Sequence, residues 1–107
     1  MAEKLCELKK KGGGSGADAR LGYVYRRDNS SAKITKSILT AGVNYNATVY
    51  GMVAFVDKSY TVSRYNGNAG FAILYSDGTY VSNNATATAV SKGDIVFVGG
   101  NCGLIFN

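Results

Sequence analysis

The chain has 107 residues, a length that fits a single domain with one core. Hydrophobic residues make up 46% and charged residues 18%, a globular balance that excludes a wholly disordered chain. The net charge of +5 arises within residues 1–36, because residues 37–107 carry as many cations as anions. Residues 37–107, which form most of the predicted body, are therefore neutral overall, and the body lacks the basic stripe that nucleic-acid-binding proteins usually present.

Residues 1–17 are predicted to form an N-terminal arm that ends in a glycine-rich tether. The run GGGSG at residues 12–16 behaves as flexible coil, so an apolar group ahead of it gains little by folding back on its own domain. We predict that the arm docks on a partner protein through Leu5, Cys6, Leu8, Lys9, Lys10 and Lys11. An artificial linker at residues 12–16 is the alternative interpretation.

Residues 18–107 are predicted to form an all-β domain. Short runs rich in Val, Ile, Tyr, Phe and Thr alternate with turn residues, and no helical period appears. The expected architecture is an antiparallel β-sandwich, jelly-roll-like, or a small barrel, with eight or nine short strands. The predicted strands are Gly22–Arg27, Lys33–Leu39, Asn44–Val56, Tyr60–Tyr65, Gly70–Ser76, Thr79–Ser82, Ala85–Val90, Ile95–Val98 and Gly103–Phe106.

The run Asn44–Val56 is longer than an ordinary strand of about five to six residues. Gly51 lies in its middle, where a bulge or sharp bend would allow one strand to serve two packed sheets. This feature favours the sandwich over the barrel.

Three turns are predicted to join neighbouring strands as hairpins. Asp77-Gly78 is a favoured type I′ pair, and it would place Tyr75 opposite Tyr80. Asn66-Gly67 would act in the same way, so that three consecutive strands form a meander. A closing hairpin is expected to turn near Gly99–Asn101.

The residues give no signature of catalysis or of a cofactor. There is no histidine, so neither a serine nor a thiol can be paired with an imidazole base. Cys6 and Cys102 lack metal-site spacing; each is interpreted as a small buried hydrophobe, with a disulfide between them as the alternative. We expect a non-enzymatic protein that needs no cofactor and binds no metal.

Tyrosine and asparagine in the predicted loops indicate a second candidate site. Such side chains suit protein or sugar recognition, although tyrosine also favours half-buried strand positions. The residues predicted to face a ligand are Tyr45, Tyr65, Asn66, Asn68, Asn83 and Asn84.

A proline-free, Tyr/Asn/Thr-rich β domain with a short arm resembles small bacteriophage virion proteins of the head-decoration or tail- and fibre-associated type. The resemblance lies in "AEKLCELKKKGGG" as a docking arm and "SKGDIVFVGG" leading into a final hairpin. It implies a structural component of a virion that is assembled in the host cytoplasm, with other virion proteins as partners. It also implies a homo-oligomer, for example a trimer. A carbohydrate- or receptor-binding β-sandwich is the alternative function.

Neither nucleic acid nor membrane is expected as a partner. No run approaches the ~18–20 apolar residues of a membrane span, and the N-terminus lacks the apolar stretch of a signal peptide. We therefore expect a soluble chain that is not exported.

Overall fold

The computed structural model describes residues 19–27, 33–46 and 50–107. The predicted arm at residues 1–17, including Cys6, lies outside the described residues, so its docking role stays a prediction. Within the described ranges the chain forms ten strands and no helix. The strands are β1 Tyr23–Arg27, β2 Ile34–Ile38, β3 Asn44–Asn46, β4 Met52–Phe55, β5 Tyr60–Gly67, β6 Phe71–Leu74, β7 Tyr80–Asn84, β8 Thr88–Val90, β9 Ile95–Val98 and β10 Cys102–Phe106.

The strands form two antiparallel sheets, which confirms the predicted all-β sandwich. The six-stranded sheet has the order β2-β1-β4-β9-β6-β7, and the four-stranded sheet has the order β3-β10-β5-β8. Ten strands are present where eight or nine were expected, mainly because the long run at residues 44–56 supplies two.

Gly51 lies at the corner predicted for this long run. Its φ is +103°, and it directly precedes β4 in the six-stranded sheet, whereas β3 belongs to the four-stranded sheet. A Cβ at Gly51 would lie 3.0 Å from the carbonyl oxygen of Val98. The position therefore requires glycine both for its backbone angle and for space.

The core lies between the two sheets and is built from the inward side of each strand. Val24, Ala54 and Val96 lie side by side on β1, β4 and β9 and are almost completely buried. From the other sheet, Leu104 and Phe106 on β10 are fully buried. The alternation of buried and partly exposed residues along β4 and β9 is typical of strands that pack one face on a core.

The predicted meander is wrong, because β5 and β6 belong to different sheets. β5 continues through Asn66 to Gly67, which pairs with Cys102 on β10. An added Cβ at Gly67 would lie 2.9 Å from the Cα of Cys102, so this glycine permits a close approach of β10 and does not turn a hairpin. Residues 68–70 then cross from one sheet to the other.

The predicted closing hairpin is wrong for the same reason. β9 is a central strand of the six-stranded sheet and β10 is a central strand of the four-stranded sheet. Gly99–Asn101 therefore crosses between the sheets. The apolar runs on both sides predicted burial on two faces; β10 is buried at four of its five positions, whereas β9 alternates between partly exposed and buried residues.

The Asp77-Gly78 turn forms a hairpin, but its register differs by one residue from the prediction. Leu74 pairs with Tyr80, and the Tyr75 N–H donates to the Thr79 carbonyl over 2.8 Å. Gly78 has a φ of +93°, and its N–H donates to the Tyr75 carbonyl over 2.9 Å. The bond between Tyr75 and Thr79 encloses three loop residues, 76–78, and not the two of a type I′ turn. A type I′ turn would also require a positive φ at Asp77, which it lacks.

Replacement of Gly78 by valine is expected to destabilise the fold by roughly 1–3 kcal/mol, because a β-branched residue is strained at positive φ. No atom lies within 4 Å of the position that its Cβ would occupy, so backbone strain alone should account for the loss. Urea unfolding measures the effect. Gly99→Val is the matched control, since Gly99 has similar space and no positive φ; equal losses in both variants would contradict this assignment.

Candidate interaction surface

The six-stranded sheet has a second apolar side, which we call the outer face because it is turned away from the four-stranded sheet. On β1, β4 and β9 the residues that flank the buried core positions point to this side. One row of neighbours crosses all six strands. The row consists of Ile38, Tyr23, Phe55, Ile95, Leu74 and Tyr80.

A second row runs beside the first and contributes Tyr25, Val53 and Phe97. Aromatic contacts join the two rows. The rings of Tyr25 and Phe55 meet edge to face with centroids 5.7 Å apart, and those of Tyr80 and Phe97 stack at 6.1 Å. The outer face is therefore a continuous layer of packed side chains, with geometries that aromatic pairs favour.

Several of these side chains are accessible to solvent. Ile38 is 69% exposed, Ile34 55% and Tyr80 54%, although all three are large hydrophobic residues. Single exposed hydrophobic residues are common, but a contiguous apolar patch on a monomer usually marks a site of interaction. The outer face has the composition of a surface that another molecule covers.

Cations lie over aromatic rings on this face. The Arg20 guanidinium lies 5.0 Å from the centre of the Phe55 ring, and the Lys36 ammonium lies 4.2 Å from that of Tyr23. Such contacts are attractive because the ring face carries partial negative charge. They also cover part of the apolar layer while leaving a positive charge at its surface.

Two shallow hollows lie at opposite ends of the outer face. One, of about 260 Å³, is lined in part by Tyr25, Ile34, Tyr50 and Val53. The other, of about 310 Å³, is lined by Leu74, Tyr75, Ser76, Gly78, Gly93 and Ile95. Each hollow has the volume of a few side chains and opens widely to solvent, so the two suit protruding side chains of a partner better than an enclosed small ligand.

Tyr45 was predicted to face a ligand, and this prediction is wrong. Its ring is buried on β3 and meets Phe106 edge to face at 6.3 Å. Its hydroxyl donates to the Ile38 carbonyl over 2.9 Å and accepts from the Thr40 N–H over 2.7 Å. A tyrosine with this pattern is a core residue whose polar end is satisfied internally.

The other five predicted loop residues gather around the crossover at residues 68–70. Tyr65, Asn66 and Asn68 lie on β5 and its continuation, and the Tyr65 ring lies directly over Gly103. Gly70 packs against Asn83 of β7. Their role in ligand binding stays a prediction.

Asn84 shows that part of this polar cluster has a structural use. Its side-chain amide donates to the Thr86 carbonyl over 3.1 Å and to Thr88 Oγ1 over 2.8 Å. These bonds hold the loop that leads to β8.

The outer face was not predicted from the sequence, although the residues of β1 indicated it. Tyr23 and Tyr25 alternate with buried Val24, so β1 is apolar on both of its sides. Strands with apolar residues on both sides are typical of a sheet that is covered twice. Only the order of the strands shows that these residues form one layer.

The described residues contain no group of three side chains that could hold a metal ion. Cys102 is buried and free, and burial raises the pKa of its thiol. Nor does the described part of the chain include a helix long and apolar enough to span a bilayer. No protein-family model matches the sequence, and neither a curated protein nor a solved structure shows significant similarity to it.

Proposed function

We propose that this chain is a non-enzymatic structural protein that joins a larger assembly and contacts another protein through its outer face. The observation that supports the proposal is the row of six apolar side chains that crosses the whole sheet. Burial of apolar surface contributes about 25 cal/mol per Å², so covering this layer supplies a large driving force for association.

The chemistry of the outer face favours a protein partner over a sugar. Ile38, Phe55, Ile95 and Leu74 offer no hydrogen bonds, whereas a polyhydroxyl ligand needs polar partners at fixed positions. The polar residues that suit a sugar, Tyr65 and its asparagine neighbours, lie around the 68–70 crossover instead. Carbohydrate or receptor binding is therefore the second candidate function, assigned to that separate site.

A bacteriophage particle is the assembly that we propose for this chain, on the basis of its resemblance to small virion proteins. In that setting the outer face would contact a neighbouring subunit in the head or tail. The arm at residues 1–17 would supply a second contact through Leu5, Cys6 and Leu8, with Lys9–Lys11 attracted to an acidic surface.

Sedimentation of a tagged chain, produced from its own gene, tests the proposal. We expect the protein in fast-sedimenting particles and expect Ile38→Lys with Leu74→Lys to leave it in the soluble fraction, because both changes place a charge in the covered layer. Leu5→Asp with Leu8→Asp tests the arm separately. Val43→Lys is the control, since Val43 is exposed at 40% and lies outside the outer face.

The proposal fails if all of the tagged chain sediments slowly, as a small species, and none of it is found in particles. It also fails if the outer-face variant sediments with particles as fully as the Val43→Lys control. Binding of the truncated body to immobilised oligosaccharides, abolished by Asn66→Ala and Asn68→Ala, would favour the second candidate function.

A further inference from the structure

We infer that the outer face is covered by the outer face of a second copy of this chain, so that two copies form a face-to-face dimer. The inference rests on the proposed function and names the partner at the same surface. It follows from the size of the apolar layer and from its ability to cover itself, and the placement of its charges supplies a test.

The area of the outer face matches that of a stable interface. Six strands ~4.8 Å apart give a width of about 25–30 Å, and the two or three outward positions along each strand give about 10–20 Å. Five exposed large hydrophobic side chains of this face each present on the order of 100 Å², given that a large aromatic residue carries about 150–250 Å². These are Ile34, Ile38, Tyr50, Leu74 and Tyr80. With the half-buried residues between them, the accessible area of the face approaches the ~800 Å² per partner of a standard interface.

A layer with an apolar row across its full width can cover itself. Two identical sheets pack at a spacing of ~10 Å with their strands about 30° apart, as the sheets of a sandwich do. A twofold axis through the contact uses the same residues on both copies and leaves no second surface uncovered. The dimer would therefore contain four stacked sheets, with the two six-stranded sheets at the centre.

The charges on the face predict an unusual dependence on salt. Arg20 and Lys36 lie over Phe55 and Tyr23, and neither of the two rows that form the face contains an acidic residue. Asp94 is buried, Asp77 lies in the β6–β7 loop, and Asp57 accepts from the Tyr60 hydroxyl over 3.2 Å. Two outer faces bring like charges together, so the dimer should tighten when salt screens them. An acidic partner would instead be bound more weakly in salt.

Sedimentation velocity of the purified full-length chain over a range of concentrations tests the inference. We expect a species of twice the chain mass of 11.3 kDa. Its dissociation constant should decrease as the salt concentration is raised from 0.05 to 1 M, which shortens the Debye length from roughly 14 to 3 Å. Ile38→Lys and Leu74→Lys should each raise that constant at least ~30-fold, because each places a charge in the covered layer. Val43→Lys should leave the salt response intact and change the constant less than ~3-fold.

Deletion of residues 1–16 tests whether the outer face is covered by a second copy or by the arm. We expect the truncated chain to dimerise with the same salt dependence as the full chain. If only the truncated chain dimerises, the arm covers the face and the inference is wrong. A monomer in both forms, a larger ring, or a dimer untouched by Leu74→Lys would equally overturn it.

These outcomes are distinct from those of the proposed function. A monomer that still loses its place in particles through Ile38→Lys and Leu74→Lys would refute the dimer and leave the assembly role standing. A dimer that never sediments with particles would refute the assembly role and leave the dimer standing.

Discussion

Replacement of Phe106 by alanine is expected to lower the free energy of unfolding by about 3–5 kcal/mol, the usual cost of deleting a buried phenylalanine ring. Phe106 is fully buried on β10. Its ring meets Tyr45 at 6.3 Å and Tyr60 at 5.7 Å, both edge to face. Removal leaves a cavity and two aromatic rings without their partner, since a close-packed interior relaxes only in part.

Urea unfolding followed by tyrosine fluorescence measures this loss. Ile105→Ala is the matched control, because Ile105 is the preceding residue on β10 but points to the other side of the sheet and is only partly buried. We expect the control to lose less than half as much stability. Equal losses would mean that the core does not lie on the Phe106 side of β10.

The second large effect is expected at Asp94, where alanine should cost about 2–5 kcal/mol because two partly buried hydrogen bonds to a carboxylate are lost. Asp94 is only 5% exposed. Its carboxylate accepts from the Ser76 N–H and from the Ser91 N–H, each over 2.8 Å. It thereby ties the β6–β7 loop to the turn that precedes β9.

Thermal unfolding and amide hydrogen exchange at Ser76 and Ser91 would detect this loss. Asp77→Ala is the control, because Asp77 also accepts from a backbone N–H, that of Thr79, over 2.9 Å, but does so at an exposed loop tip. Solvent replaces that bond, so a loss below ~1 kcal/mol is expected. Unchanged exchange at Ser76 in Asp94→Ala would contradict the assigned role.

The strands could be predicted from the sequence because their signal is local. The alternation of buried and partly exposed residues along Met52–Phe55, and the bend at Gly51, can be predicted from neighbouring residues alone. The pairing of strands could not be predicted in this way, because a link of three residues joins two sheets as readily as two neighbouring strands. Asn66-Gly67 has the composition of a hairpin turn, yet Gly67 is used for the close approach of Cys102.

The candidate surface was missed for a related reason. Ile38, Phe55 and Leu74 come from strands that are far apart in sequence, and only the strand order makes them one row. The burial of Tyr45 was also hidden, because tyrosine suits a strand, a loop and a core equally well. The remaining predicted residues, from Tyr65 to Asn84, lie on or beside β5 and β7, and their role in ligand binding stays a prediction.

The strand order also constrains how the protein can fold while it is being synthesised. β9 and β10, the last two strands of the described fold, occupy interior positions: β9 separates β4 from β6, and β10 separates β3 from β5. Until both have been made, each sheet exists as two fragments with unpaired edges, a state prone to aggregation. Folding must therefore wait for long-range pairing with β9 and β10, and nascent chains that stop before Ile95 should be substrates for chaperones or proteases.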